Sequence, residues 1–262
     1  MFDLSAWLVG LGAIFSIGLV TWFISLPLKR ASIVDPVWSL LFVAAGFAYA
    51  ATSGASAGGR RTLILVLVSV WGLRLAGYLA WRAWGEPEDK RYQAMRRKQD
   101  PGFAWKSLFT VFALQGALAW IISLPLLAAV DGSPGLGVLD YVGTAVWFVG
   151  MVFEAGGDWQ LARFLGDEAN TGKVMRTGLW KYTRHPNYFG NFTIWWGMYL
   201  IALSAGGWWS IVGPALMSYL LLKVSGVAML ERTIDSTRPK YADYIATTNA
   251  FFPGPPKGAS PQ

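Results

Sequence analysis

Apolar residues run through this chain in long blocks, interrupted by charge at nearly regular intervals. Leu4 to Leu28 is 25 residues without a charge. Ile33 to Thr52 carries one, Asp35, beside Pro36; Thr62 to Trp81 carries one, Arg74; Ser107 to Val130 carries none. Val138 to Phe153 is shorter and ends at Glu154. His185 to Leu222 holds 38 residues with no formal charge, and Ser204-Ala205-Gly206-Gly207 divides it in two, the second part running past Lys223 to about Leu230. A bilayer core takes about 20 mostly apolar residues per helix. The pattern therefore predicts an all-α membrane protein with seven transmembrane helices. No internal repeat or Gly/Ser linker divides residues 1–262, which read as one integral-membrane domain with a frayed tail from about 255. Asp3 stands where a secretion signal would carry Lys or Arg, and no small-residue cleavage site follows, so the first block is expected to be a mature span.

Composition agrees. Of 262 residues 54% are hydrophobic and 14% charged, too few charges to coat a water-facing surface. The 15 Trp, 15 Phe and 10 Tyr suit a protein with two membrane–water interfaces. Absence of Cys excludes a thiolate nucleophile, a Cys-based zinc site and a disulfide, and a single His cannot build a multi-His metal site. The net charge of +7 invites a nucleic-acid reading. Its distribution answers that reading: 18 of the 22 Lys and Arg fall in the segments after spans one, three and five and in the C-terminal tail. Arg60 and Arg61 alone lie on the opposite side. By the positive-inside rule the N-terminus is outside and the C-terminus cytoplasmic, and the basic residues border a membrane rather than a nucleic acid.

An ionisable residue inside a span costs at least ~2.5 kcal/mol on insertion scales, so each calls for a reason. Asp35, next to Pro36 at the start of span two, is read either as an N-cap carboxylate or as a functional acid. In span three Arg74, Tyr78 and Arg82 follow one another along one side of a helix. Arg74 lies nearly two turns below the cytoplasmic end, deeper than snorkelling explains. Its anionic partner is either a carboxylate, Asp35 or Glu154, or a ligand phosphate. The mixed charge run from Gly85 to Lys106 reads as a solvated amphipathic face, apart from Arg91 and Tyr92.

Span five passes into a polar helix in which Glu154 and Asp158, four residues apart, share a face. A loop with Asn170, Lys173 and Arg176 follows. Then Arg176 to Asn191 packs Tyr182, Arg184, the lone His185, Asn187, Tyr188 and Asn191 ahead of span six, with Pro186 fixing the backbone and Gly178 and Gly190 allowing close approach. Basic groups, amides and rings suit a ligand with phosphates and a flat heterocycle at a helix N-terminus; the plainer reading is a basic loop gripping anionic headgroups. Past span seven, Glu231 to Tyr244 reads as a short amphipathic helix including Tyr241, with Glu231 either bonding a ligand or serving a simple salt bridge. No Rossmann fingerprint, P-loop or His-Glu-x-x-His pair is present.

The stretch Thr177-Gly-Leu-Trp-Lys-Tyr-Thr-Arg-His-Pro-Asn-Tyr-Phe-Gly190 resembles the steroid 5α-reductase-like membrane family, in its bacterial branch. Asp35-Pro-Val-Trp38, Leu73-Arg-Leu-Ala-Gly-Tyr78, Glu88-Asp-Lys-Arg-Tyr92, Asp158-Trp-Gln160, Leu230-Glu231 and Arg238-Pro-Lys-Tyr241 match in the same order. The Arg-His-Pro-x-Tyr segment alone is also similar to isoprenylcysteine and phospholipid methyltransferases and to sterol C=C reductases. The resemblance implies a seven-helix enzyme that binds NADPH in a cytoplasm-facing cavity and takes a hydrophobic enone from the bilayer. It carries cofactor roles onto Arg74, Tyr78, Asp158, Arg176, Arg184, Asn187, Tyr188, Glu231 and Tyr241; the residues around them add Lys173, Tyr182, His185, Asn191 and Tyr244. Three positions depart from the family: Asp35 is the nearest acid to its span-two Gln-Glu pair, Trp71 replaces its catalytic Tyr, and Asn191 replaces the acid that commonly follows Phe-Gly.

The expected chemistry is hydride transfer from NADPH to the β-carbon of a C=C conjugated to a carbonyl, in a steroid-like or isoprenoid lipid. Asp35, or failing it Tyr78 or Tyr92, would serve the enolate oxygen, and Trp38 and Trp71 would line the substrate's path. Two alternatives stay open: a methyltransferase using S-adenosylmethionine, and a non-enzymatic lipid-binding protein. A monomer in the bacterial inner membrane, without metal, is the expected setting.

Overall fold

The computed structural model describes residues 2–54, 58–132, 135–224 and 241–256. Its first helix, α1 (Leu4–Leu28), starts at Asp3, whose carboxylate accepts a hydrogen bond from the Ala6 backbone N–H at 3.0 Å, and stops where Lys29 turns to φ 51°. After one 3₁₀ turn comes α2 (Val34–Thr52), then α3 (Gly59–Ala83). The charged connector folds as α4 (Lys90–Gln99), capped by Asp89, which accepts from the Arg91 N–H at 2.8 Å.

The fourth predicted span is not one regular helix. It runs as α5 (Phe103–Ser107), a π-helical turn (Leu108–Ala113) and α6 (Leu114–Ile122). At Ser123, before Pro125, the chain restarts as α7 (Leu124–Val130), buried at every residue. Ser123 donates to the Trp120 carbonyl at 2.8 Å and meets the Tyr49 hydroxyl at 2.7 Å, so the interruption leaves its polar groups satisfied.

Then come α8 (Val138–Leu165), α9 (Pro186–Ser204), α10 (Val212–Tyr219) with a π-helical extension (Leu220–Val224), and α11 (Tyr241–Thr247). Among the described residues there is no strand. Five helices are long and apolar enough to cross a bilayer: Leu4–Leu28, Ala31–Thr52, Gly59–Ala83, Phe103–Ile122 and Val138–Leu165. Apolar side chains such as Phe23, Phe47, Leu73 and Phe148 stand more than half exposed along them, as lipid-facing positions do. This is an all-α, multi-pass integral membrane protein. The sequence pattern predicts seven spans. The difference lies in α9, whose first turns carry Asn187, Tyr188 and Asn191, and in the last predicted span, of which Trp208–Val224 falls within the described residues and 225–230 outside them.

The chain forms two compact units. The first comprises Met1–Asp140 with Ile201–Gly213, the second Tyr141–Leu200 with Pro214–Gln262. In the first, α4 is held down by a cluster of Trp22, Ala31, Val34, Tyr92, Phe103, Val111 and Phe112. At another end of this unit Arg60 and Asp140 form a buried two-pronged ion pair, Nε to Oδ1 at 2.8 Å and Nη2 to Oδ2 at 2.9 Å. Ser204 and the Gly137 N–H also donate to Asp140 Oδ2, at 2.8 and 2.7 Å. In the second unit α8 and α9 meet backbone to backbone. A Cβ placed on Gly150 would stand 2.7 Å from the Gly190 carbonyl oxygen, and one on Gly197 2.7 Å from that of Gly143. Small residues at such crossings are how membrane helices approach closely.

Candidate functional site

The glycine contact between α8 and α9 sets two polar rungs side by side. Asn187 Nδ2 donates to Asp158 Oδ1 at 3.1 Å, and Asn191 Nδ2 donates to Glu154 Oε1 at 3.4 Å. Both carboxylates and Asn191 are buried: Glu154 is 3%, Asp158 4% and Asn191 7% exposed. The shared helical face foreseen for Glu154 and Asp158 is turned toward α9. Asn191 Oδ1 is buried with no hydrogen-bond partner. Where the resembling family carries an acid at position 191, this chain has the amide there and an acid across the rung at 154. The cluster is rich in acceptors and suits a ligand group that donates, such as a hydroxyl, a carboxamide or a cation.

The loop before α9 is braced from the far end of the chain. Gln160 accepts from the Leu179 N–H at 2.9 Å, beneath Gly178, whose φ of +61° and contact with the Gln160 side chain leave no room for a Cβ. Trp180 Nε1 donates to the Gly157 carbonyl at 3.1 Å, and Tyr244 donates its hydroxyl to the Trp180 carbonyl at 2.5 Å. Burial, then the neighbouring Tyr241, holds the Tyr244 phenol above its usual range, so it stays protonated as this donor. Arg184, buried, aims Nη1 at the Thr248 carbonyl (2.7 Å) and the Ile245 carbonyl (3.2 Å). It therefore binds the C-terminal carbonyls of α11, where a helix dipole favours a cation. These bonds tie the loop to the C-terminal segment.

The other predicted cofactor residues of this unit fall around these contacts. His185, at the N-terminus of α9, is buried and stacks on Tyr188 at 5.7 Å. Arg176 lies over the Tyr244 ring at 5.7 Å, and Tyr241 meets Tyr244 edge-on at 5.8 Å. Lys173, Arg176 and Tyr182 are exposed. Glu231 lies outside the described residues.

In the first unit two predicted catalytic residues come into contact. Tyr92 donates its hydroxyl to Asp35 Oδ1 at 2.6 Å, Arg91 Nη2 donates to Asp35 Oδ2 at 3.0 Å, and Gln115 Nε2 donates to the Tyr92 oxygen at 3.2 Å. Asp35 sits in the first turn of α2 behind Ile33, the N-cap residue, and its carboxylate faces side chains rather than acting as the cap. Burial, then Asp35, pushes the Tyr92 phenol well above its ordinary range. Burial lowers and Asp89 and Asp35 raise the Arg91 guanidinium, the carboxylates prevailing, so it remains charged. Both Asp35 oxygens are thus engaged as acceptors, one by a phenol and one by a guanidinium. Trp38 and the fully buried Trp71 are joined edge-to-face through Phe42, at 4.9 and 5.6 Å. Arg74 is half-buried on α3, with Tyr78 one turn on under the Arg82 guanidinium at 5.8 Å.

Comparison with known proteins places this chain. A family model described as a protein of unknown function (DUF1295) matches residues 21–248. The chain belongs to the DUF1295 family. An uncharacterized protein of Schizosaccharomyces pombe is 23% identical over 289 residues, covering 96% of this chain and 81% of the fission-yeast protein. No solved structure matches. The matched stretch of this DUF1295 member contains every predicted site residue.

Three participants escape a sequence reading of this DUF1295 chain. Gln115 lies in an uncharged span, and only its contact with Tyr92 singles it out. Gly150 has no local motif, yet it sets the α8–α9 separation. Phe251 accepts from the Thr183 hydroxyl at 2.8 Å through a backbone carbonyl, a group every residue carries.

Proposed function

We propose that this DUF1295 protein is an NADPH-dependent membrane oxidoreductase that reduces a C=C conjugated to a carbonyl in a steroid-like or isoprenoid lipid, with its cofactor side cytoplasmic. The observation that carries the reading is the double rung Asn187–Asp158 and Asn191–Glu154, with the buried acceptor Asn191 Oδ1 left for a donor. The ribose hydroxyls and carboxamide of NADPH are such donors. Lys173 and Arg176, exposed at this end of the unit, would face its phosphates, while Arg184 keeps the loop in place. NADPH supplies the hydride. The chain's own part in the chemistry falls to Tyr92, held protonated against Asp35 and accepting a hydrogen bond from Gln115, as the proton-bearing group for the enolate oxygen, its proton being restored from solvent after each turnover. Asp35 orients Tyr92, and Arg91 holds the other oxygen of Asp35 in place. The Trp38–Phe42–Trp71 string offers an apolar wall for a flat substrate body.

The buried carboxylates also favour a second reading. Glu154 and Asp158 suit a sulfonium, so S-adenosylmethionine is the cofactor to set against NADPH. The test is the melting temperature of the purified protein with NADPH, NADH or S-adenosylmethionine, for the wild type and for Glu154→Gln and Asn187→Ala. NADPH is expected to stabilise the wild type and to do so at roughly ten-fold higher concentration in both variants. No stabilisation at saturating NADPH removes the oxidoreductase reading. Stabilisation by S-adenosylmethionine alone replaces it with the methyltransferase.

A further inference from the structure

We infer that the outer face of α4 is a binding strip for anionic phospholipid headgroups. The helix is ten residues long and its inner side is fixed. Tyr92 is buried in the aromatic cluster, and Arg96 donates to the Lys29 carbonyl at 2.9 Å and to Glu88 Oε2 at 3.2 Å while lying 4.5 Å from the Phe103 ring. Glu88 in turn accepts from the Ala31 N–H at 2.5 Å. These contacts pin α4 against the end of α1, the start of α2 and the start of α5, which is the membrane-boundary level of three spans.

The opposite face is exposed and reads Lys90, Ala94, Arg97, Lys98, spaced as one helical stripe. Its charge is not neutralised from within the helix. Asp89 is spent on Arg91, and Glu88 on Arg96 and the Ala31 N–H. The residues that lead into and out of α4 carry exposed indoles, Trp84 at 88% and Trp105 at 62%. Indole rings settle at headgroup depth. A stripe of three cations between two such rings is complementary to the phosphates of that layer, and a juxtamembrane cation gains attraction from an anionic surface. Within the mixed charge run, Glu88 and Asp89 are engaged in holding the helix and Lys90, Arg97 and Lys98 turn outward, while the exposed acids Glu86 and Asp100 lie outside its two ends. Because α4 carries both Arg91 and Tyr92, lipid bound on its outer face steadies the helix that holds Asp35 in its hydrogen bonds.

The experiment reconstitutes the full chain in vesicles of phosphatidylcholine alone or with 30% phosphatidylglycerol, and compares wild type with the triple variant Lys90→Gln, Arg97→Gln, Lys98→Gln. The wild type is expected to melt several degrees higher with phosphatidylglycerol and to retain that lipid in native mass spectrometry; the triple variant is expected to lose both effects while melting normally in phosphatidylcholine. Lys90→Gln and Lys98→Gln singly are each expected to weaken retention about five-fold, and they decide the question where the triple variant does not fold. Inorganic phosphate at the same concentration is expected to leave the melting temperature unchanged. An equal phosphatidylglycerol effect in wild type and variants overturns the inference, as does an equal effect of inorganic phosphate. None of these readouts depends on NADPH, so their failure leaves the oxidoreductase reading standing.

Discussion

Gly150 and Gly190 meet through their backbones: a methyl on Gly190 would stand 2.6 Å from the Gly150 carbonyl oxygen and 2.3 Å from the Glu154 nitrogen. Atoms at those distances overlap, and the obstacle is backbone rather than a side-chain tip, so the helices must part. Overpacking of this kind costs about 1–3 kcal/mol. Gly190→Ala is therefore expected to lower the melting temperature and to disturb the Asn191–Glu154 rung. Gly12→Ala, where a Cβ meets nothing within 4 Å, is the matched control and is expected to be neutral. Equal melting of the two variants removes the close crossing as the device that builds the rungs.

Arg60 and Asp140 form a second point of tension, a charge pair taken out of water. Asp140→Leu alone leaves the guanidinium buried with its counter-charge gone, and Arg60→Met alone does the same to the carboxylate, each a loss of typically about 3–5 kcal/mol. The double variant Arg60→Met, Asp140→Leu removes both charges and is expected to recover most of that loss. The check is a double-mutant cycle from detergent-solubilised melts. Additive losses would show that the pair is not coupled.

These two cases mark how far the sequence speaks. The blocks of apolar residues announce a multi-pass helical protein because span length is a property of consecutive positions. The Glu154–Asp158 face is legible for the same reason, being one turn of one helix. Asp35 is conspicuous as a charge in a span, but its bond to Tyr92 joins residues 57 apart, and no local pattern encodes it. Arg60 reads as a loop cation although its partner, 80 residues on, buries it. Arg184 shows the hardest limit. Its basic, Asn- and Tyr-rich surroundings suggest a phosphate, whereas its Nη1 lies on the carbonyls of Thr248 and Ile245.

Asp89 supplies a pH-dependent contribution. Burial raises this carboxyl, but hydrogen bonds from the Arg91 side chain and backbone outweigh it, and the group is held below the usual carboxylate range. A carboxyl lowered in the folded state stabilises fully above its unfolded value, and the contribution disappears as pH falls through the folded value. Asp89→Asn keeps a capping oxygen and loses the charge. Wild type is thus expected to melt above Asp89→Asn at pH 6, with the gap closing below about pH 4. Asp89→Ala loses the cap as well and is expected to cost about 1 kcal/mol at both pH values. A gap between wild type and Asp89→Asn that is unchanged down to pH 3 contradicts the assignment.

Tyr92 and Asp35 allow stability and chemistry to be separated. Tyr92→Phe deletes one hydroxyl, leaving Asp35 Oδ1 without its 2.6 Å donor and Gln115 Nε2 without its acceptor. That loss is worth about 1–3 kcal/mol, visible as a lower melting temperature. If Tyr92 delivers the proton to the enolate, turnover falls further than stability does, by about 10²–10⁴. Gln115→Leu removes the other neighbour of the phenol and retains the Tyr92–Asp35 bond. It is expected to match Tyr92→Phe in stability to within about 1 kcal/mol while keeping most of the turnover. Stabilisation by NADPH is expected to be the same in both, since neither touches the Glu154 and Asp158 rungs. A Tyr92→Phe protein that reduces an enone at the rate of Gln115→Leu strips Tyr92 of the proton and leaves it a strut for α4.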